Sequence, residues 1–247
     1  REYIEQTNIT HLKVGVFDIN GILRGKYLSK QKFFSALESG CGFCDVVLGS
    51  DIDDQLCNNM TYTGWHTGYP DATIQIVAES CRQILCPRSI LKNVTRKAHD
   101  MGFDAFAAGE YEFAVFNEDI QSVRDKHFRN LTPITPGNFG YSMLRNTVFS
   151  EFYQQLLACG EQMNFPIEGL HTEIGPGVLE AAVTYDQALP AADKAAIFKT
   201  MTKVIAQRYG WIATFMAKIN TQQQGHSGHI HLSLRDLANE SVFYDEK

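Results

Sequence analysis

The chain has 247 residues, of which 44% are apolar and 20% charged, and 28 acidic against 22 basic side chains give a net charge of -6. This length can bury a sizeable core as one large domain or two smaller ones. Because the sequence has no basic run and no apolar run of about 18 residues, we expect neither a nucleic-acid nor a membrane partner. Six scattered cysteines without framework spacing favour a reducing, cytoplasmic compartment.

The first part of the chain is predicted to be a small β-rich domain. Residues 12–17 and 22–27 are apolar runs joined by a segment that contains Asn20-Gly21, a strong hairpin-turn signal. A helix is expected at residues 31–39 and a further strand at residues 73–78. Because Pro87 indicates a boundary, we place the two domains at residues 1–86 and 87–247.

The second part alternates long helices with single strands. A helix N-capped by Ser89 is expected to end near Met101, and a long apolar strand follows at residues 103–116. Residues 117–140 are polar and are predicted to form a mobile loop. Further helices are expected at residues 143–163 and 191–209, and further extended segments at residues 167–174, 179–184, 214–218 and 229–234. This pattern predicts an α+β fold rather than a series of βαβ units.

Three segments carry chemically active side chains. Glu110 and Glu112 share one face of a strand, since residues i and i+2 of a strand point the same way. Glu173 and Glu180 flank Gly175-Pro-Gly, a break that lets both carboxylates face one site. His229, His231 and Ser233 share one strand face after a glycine-rich lead-in. An exposed strand face, an ordinary turn and a buried histidine pair are the alternative interpretations of the three segments.

Taken together, the segments predict a divalent-metal site. Four carboxylates with one or two imidazoles form an oxygen-rich ligand set, which favours Mg²⁺ or Mn²⁺ over Zn²⁺. Such ions commonly bridge nucleotide phosphates. Because the sequence has neither a P-loop nor a dinucleotide fingerprint, a nucleotide would have to be held in another way. The residues alone therefore predict phosphoryl chemistry at a Mg²⁺ or Mn²⁺ site.

These motifs, in this order, resemble the glutamine synthetase family, class I type. The resembling stretches are Gly109-Glu-Tyr-Glu-Phe, His171-Thr-Glu-Ile-Gly-Pro-Gly-Val-Leu-Glu180, His226-Ser-Gly-His-Ile-His-Leu-Ser-Leu234, Ala192-Asp-Lys, Ala213 to Lys218 and Asp18 to Lys26. The sequences of these motifs are most similar to those in the branch of fungal FluG and plant nodulin proteins. The resemblance implies a small N-terminal β-grasp domain followed by a larger antiparallel-sheet catalytic domain.

The resemblance also implies roles for individual residues. One metal would be held by Glu112, Glu173 and Glu180, and the second, which handles the ATP phosphates, by Glu110 and His229. Contacts to ATP would come from Glu168, Tyr185, His231 and Ser233, and Gly225 would lie near the substrate glutamate. The implied reaction joins an amine to the γ-carboxylate of L-glutamate through γ-glutamyl phosphate. The family forms stacked rings, so a homo-oligomeric ring, a dodecamer of two hexamers, is expected.

The chain departs from the family pattern in two informative ways. The family's catalytic domain continues beyond this chain with glutamate-binding arginines and the last glutamate of the second metal site, so we expect a C-terminally truncated chain that is inactive alone. Leu48 stands where bacterial enzymes have an aspartate that binds ammonium. A larger amine acceptor is therefore expected, unless Asp51 or Asp53 takes that role.

Two alternatives to the ligase remain open at this stage. A non-catalytic relative with a structural or regulatory role would fit a shortened chain, although such a protein has no physical need for clustered carboxylates. An unrelated Mg²⁺-dependent phosphotransferase would use the same metal ligands without an amine. Turnover of ATP that requires both L-glutamate and an amine would distinguish the ligase from both.

Overall fold

The computed structural model describes residues 1–18, 20–44, 55, 71–74 and 87–244. The chain divides into two compact units, Arg1–Cys86 and Pro87–Lys247. The β-grasp identity of the first unit stays a prediction. Among the helices in these described ranges, none combines the length and the apolar composition that crossing a membrane requires.

The first unit is built around an antiparallel hairpin. Its elements are α1 (Glu2–Glu5), β1 (His11–Phe17), β2 (Leu23–Ser29), α2 (Lys30–Ser39), β3 (Cys41–Cys44) and β4 (Asp71–Ile74). The buried Asp18 fixes the turn between β1 and β2, because its carboxylate accepts the backbone N–H groups of Asn20 and Ile22 and the Arg24 guanidinium at 2.8–2.9 Å. Ser29 caps α2, as its hydroxyl accepts the N–H of Lys32.

The second unit is one antiparallel sheet with helices. Its elements are α3 (Pro87–Asp100), β5 (Phe103–Phe116), α4 (Ile120–Asp125), α5 (Met143–Val148), α6 (Ser150–Gln162), β6 (Ile167–Thr172), β7 (Val178–Gln187), α7 (Ala188–Arg208), β8 (Ile212–Thr214) and β9 (Gly228–Asp236). The order is β6-β7-β5, and the other edge of β5 pairs with β9 and β8. The predicted fold of helices with antiparallel sheets is confirmed.

The main hydrophobic cluster of the described residues lies on one face of this sheet. Tyr111, Phe113 and Val115 point from β5 into a cluster in which Phe113 and Phe198 meet edge to face, with ring centroids 6.0 Å apart. Phe152 on α6 is fully buried in the same cluster. Because side chains alternate along a strand, Glu110 and Glu112 are left on the opposite face.

Several boundaries differ from the sequence-based expectation. The helix α3 begins at Pro87 rather than after Ser89, since proline suits the first turn of a helix. The single helix expected at 143–163 is two helices, separated at Phe149. A short helix, α4, lies inside the predicted mobile loop, and Asp119 and Ser122 form its capping box. The strand expected at 214–218 ends at Thr214, because only Ile212–Thr214 pairs with β5.

The segment after β5 is held by the buried carboxylate of Glu118. This group accepts the Thr132 N–H and the Ser122 hydroxyl, both at 2.7 Å, and binds the Lys126 ammonium. The Lys126 contact and these hydrogen bonds lower the pKa of Glu118 to about 2. The carboxylate therefore stabilises the fold in its ionised form.

We expect Glu118→Gln to lower the Tm of the second unit at pH 7. Because folding lowers the pKa of Glu118, its stabilisation is present above the ordinary pKa of a glutamate and is lost as the pH falls toward 2. Thermal unfolding of the variant and the unmodified protein should therefore differ at pH 7 and converge in acid. The exposed Glu151→Gln on α6 is the control, and a difference that does not change with pH would contradict the assignment.

Candidate metal centre

Strand register brings the predicted metal ligands together on the open face of the sheet. Glu110 on β5 lies directly opposite His229 on β9, and Glu112 lies opposite Glu180 on β7. One strand further, His171 on β6 lies opposite Glu180. Directly opposed residues share a face, so these side chains from four neighbouring strands point to the same side of the sheet.

Glu110, Glu180 and His229 form the tightest group. One ligand atom from each lies within 4.8 Å of the other two. The Glu110 carboxylate is also 3.2 Å from a ring nitrogen of His229 and 3.2 Å from Nε2 of His231. The hydrogen bond from His231 is the main cause that lowers the pKa of Glu110, with His229 adding to it. Glu110 is therefore ionised at neutral pH and available as a ligand.

Glu112 is oriented by the loop that leads into β9. Its carboxylate accepts both the backbone N–H and the hydroxyl of Ser227 at 3.0 Å. Gly225 precedes this contact, and a Cβ there would lie 3.0 Å from the carbonyl oxygen of Ala217. The glycine thus permits the close approach of this loop to Ala217.

The Gly-Pro-Gly turn brings Glu173 and Glu180 to the same face of the sheet. Gly175 and Gly177 have φ values of +142° and +71°, which residues with a side chain rarely adopt. The N–H of Glu173 donates to the Val178 carbonyl at 2.9 Å, so the chain reverses and both glutamates face the open side. The break predicted from the odd spacing of these glutamates is present.

The electrostatics of the group fit a divalent cation. Burial, followed by the nearby charges of Glu110, Glu112 and Glu173, raises the pKa of Glu180, whereas His171 opposes this effect. Carboxylates that repel one another in this way are stabilised when a cation lies between them. Ligand atoms around one Mg²⁺ ion lie about 2 Å from it and thus within about 4 Å of one another. Two carboxylates and an imidazole are suitable ligands for Mg²⁺ or Mn²⁺, so the residues of the described group fit such an ion in their chemistry.

Two further residues lie at this site, Tyr141 and His171, neither of which was predicted from the sequence as a site residue. Their rings stack with centroids 4.4 Å apart. The charge of Glu173, together with burial and the charges of Glu180 and Glu110, raises the pKa of the Tyr141 hydroxyl, so these carboxylates act on it electrostatically. Tyr141 follows the predicted mobile loop, and its contact with His171 spans 30 residues, so no local pattern indicated it.

The remaining predicted site residues lie outside this group. Ser233 is opposite Phe106, whose ring centroid is 6.3 Å from that of the exposed Tyr185, so these residues meet at one end of the sheet. Glu168 lies exposed at a bulge of β6. The structure groups Glu180 with Glu110 and His229, whereas the family resemblance divides these residues between two ions. Leu48, Asp51 and Asp53 lie outside the described residues.

Comparison with known proteins identifies similar sequences. The family model described as "Glutamine synthetase, catalytic domain" matches residues 84–247. A type-1 glutamine synthetase 2 of Dictyostelium discoideum is 41% identical over 258 residues, which covers 95% of this chain and 49% of the relative. A glutamate–isopropylamine ligase of a Pseudomonas species is 34% identical over 266 residues, with 98% and 58% covered. The chain thus spans about half the length of these relatives.

A solved structure has the same fold. The structure described as a GmaS/ADP complex superimposes with a TM-score of 0.79 at 19% identity, and the match covers 100% of this chain and 58% of that one. At this identity the likeness concerns the fold alone. The antiparallel sheet that carries the carboxylates therefore occurs in a longer solved protein.

Proposed function

Since the chain belongs to the glutamine synthetase catalytic-domain family, we propose that the complete protein is an ATP-dependent ligase acting on L-glutamate and an amine. The observation that carries this proposal is the convergence of Glu110, Glu180 and His229 on the open face of the sheet. The names of the two relatives, a glutamine synthetase and a glutamate–isopropylamine ligase, support the reaction class. Their difference leaves the amine to be determined by experiment.

The metal ligands proposed here are the four glutamates and His229. Glu112, Glu173 and Glu180 would hold one ion and Glu110 with His229 would contribute to a second, each Mg²⁺ or Mn²⁺. When bound, such ions neutralise charge on ATP and on glutamate, which carboxylates alone would repel. Ser227 holds Glu112 and the two histidines hold Glu110, so these carboxylates are oriented before an ion binds.

The proposed reaction has two steps. The γ-carboxylate oxygen of glutamate attacks the terminal phosphorus of ATP, so that ADP leaves and γ-glutamyl phosphate forms. The amine nitrogen then attacks the acyl carbon and loses a proton, and phosphate leaves as the amide forms. We propose that Glu168, Tyr185, His231 and Ser233 contact ATP and that Gly225 lies near glutamate. We also propose a homo-oligomeric ring as the assembly.

The sequence suggests an organic amine as acceptor. Leu48 can neither accept a hydrogen bond from ammonium nor offset its charge, whereas an apolar side chain favours a carbon-bearing amine by about 0.8 kcal/mol per buried CH₂. In the complete protein we expect kcat/KM for an alkylamine or polyamine to exceed that for ammonia by about ten-fold. Phosphate release with L-glutamate and a panel of amines at matched free-base concentration measures this preference.

Two results would decide the acceptor. Leu48→Asp should shift the preference toward ammonia, while Leu237→Asp, an exposed leucine on the second unit, serves as a control for the added charge. Ammonia as the best acceptor of the unmodified protein would contradict the proposed organic amine and indicate ordinary glutamine synthesis. Release of phosphate that needs no amine would instead contradict the ligase itself.

A non-catalytic role is not favoured by the site. Burial and the neighbouring negative charges raise the pKa of Glu180, so its ionised carboxylate destabilises the metal-free fold. A structural protein gains nothing from such a cluster. Cation binding, which the proposed ligase requires, explains why four glutamates are clustered.

A further inference from the structure

Thr172 connects the strand that ends before Glu173 to the segment that carries Tyr141. Its side chain is buried, with 3% of the residue exposed. The hydroxyl donates to the carbonyl oxygen of Phe139 at 2.8 Å and accepts the N–H of Ser142 at 2.9 Å. The Tyr141 N–H donates to the Thr172 carbonyl oxygen at 2.7 Å. Three hydrogen bonds therefore tie residues 139–142 to the last residue of β6.

This connection holds a tyrosine that packing alone does not fix. Tyr141 is 68% exposed, and its φ of +58° lies in the left-handed region that a tyrosine rarely adopts. Its ring rests on His171, which is directly opposite Glu180. Ser142 also caps the N-terminus of α5, since its hydroxyl accepts the Arg145 N–H. The position of the Tyr141 ring thus depends on the hydrogen bonds at Thr172.

We propose that Thr172 is a positioning residue, whose hydroxyl fixes residues 139–142 so that Tyr141 stays over His171 and beside the carboxylate group. The inference rests on the proposed ligase activity. Thr172 is argued to act through its neighbours, because its side chain is buried and its hydroxyl bonds to the backbone at Phe139 and Ser142. Thr172 acts through Tyr141. Glu173, the next residue in the chain, is positioned in the site by the same end of β6.

The test uses the complete protein, four single variants and the double variant that combines Thr172→Val with Tyr141→Ala. Thr172→Val keeps the shape and removes the hydroxyl, Thr172→Ser keeps the hydroxyl, and Tyr141→Ala removes the ring. Thr95→Val is the matched control, since the Thr95 hydroxyl bonds to carbonyls of its own helix, Leu91 and Lys92. Should Thr172→Val not fold, Thr172→Ala takes its place, because it removes the hydroxyl and adds no bulk.

The expected result is a loss that depends on Tyr141. Displacement of a group at the site should lower kcat/KM for amide formation about 10- to 100-fold in Thr172→Val, with Thr172→Ser within about three-fold of the unmodified protein. On the Tyr141→Ala background, Thr172→Val should cause no further loss. Amide hydrogen exchange at residues 139–148 should accelerate in Thr172→Val and not in Thr172→Ser.

Each contrary result overturns a distinct claim. Normal turnover in Thr172→Val, or an equal loss with and without the Tyr141 ring, overturns the positioning role while the ligase stands. Absence of turnover in the unmodified protein contradicts the proposed function, and the positioning role falls with it. Hydrogen exchange then still tests the connection, because an unchanged rate in Thr172→Val shows that the hydroxyl does not hold the segment.

Discussion

Glu180→Gln should reduce glutamate-dependent phosphate release by the complete protein about 100-fold or more. Glu180 belongs to the group with Glu110 and His229, and a neutral amide is a far weaker ligand for a hard cation than a carboxylate. The assay compares the variant with Glu161→Gln, which replaces an exposed glutamate on α6. Turnover near that of the unmodified protein at limiting metal would contradict the role of Glu180.

The same variant should raise the stability of the metal-free protein. Because folding raises the pKa of Glu180, its ionised carboxylate destabilises the fold, and this penalty is present above the raised pKa and absent in acid. The Tm of Glu180→Gln should therefore exceed that of the unmodified protein at pH 7 with metal removed, and the two should converge as the pH falls. A lower Tm at pH 7 would show that Glu180 has a structural role.

Gly177→Ala should destabilise the second unit by about 2–4 kcal/mol. A Cβ at Gly177 would lie 2.5 Å from the carbonyl oxygen of Val115 and 3.1 Å from Pro133, and the residue has a φ of +71°. The turn therefore has to shift away from β5. Glu173 and Glu180, which flank the turn, should then no longer be aligned. Denaturant unfolding measures the loss.

Gly210→Ala is a close control for this substitution. Gly210 has the same φ of +71°, but a Cβ there would meet no described atom within 4 Å. The left-handed conformation alone should cost about 1–2 kcal/mol in this variant. Equal losses in the two variants would show that the contact with Val115 is unimportant and that only the backbone conformation matters.

The sequence predicts the faces of the strands well, because side-chain alternation is a local property. Glu110 and Glu112 share a face of β5, whose observed bounds equal the predicted 103–116, and His229 shares the face of His231 on β9. The partner of each residue is a long-range property. Nothing local indicates that His229 lies opposite Glu110, 119 residues away, or that Glu180 completes their group.

Long-range contacts also explain why some helices differ from the sequence-based expectation. The break at Phe149 follows no glycine or proline, and Phe149 packs edge to face on Trp211, 62 residues further along the chain, so tertiary contact decides where one helix ends and the next begins. Residues 117–140 are polar, yet the buried Glu118 fixes them through Lys126 and Thr132. A polar composition predicts a loop but not a buried carboxylate that orders it.

The most direct test of the metal centre is pulsed electron paramagnetic resonance of Mn²⁺ bound to the complete protein. Modulation from an imidazole nitrogen should be present in the unmodified protein and in His99→Ala, which removes a histidine paired with Asp104 away from the site. It should disappear in His229→Gln, while Glu180→Gln should weaken Mn²⁺ binding about 10- to 100-fold. Nitrogen modulation that persists in His229→Gln, or Mn²⁺ binding that Glu180→Gln leaves unchanged, would contradict the proposed metal centre, in which His229 and Glu180 are ligands.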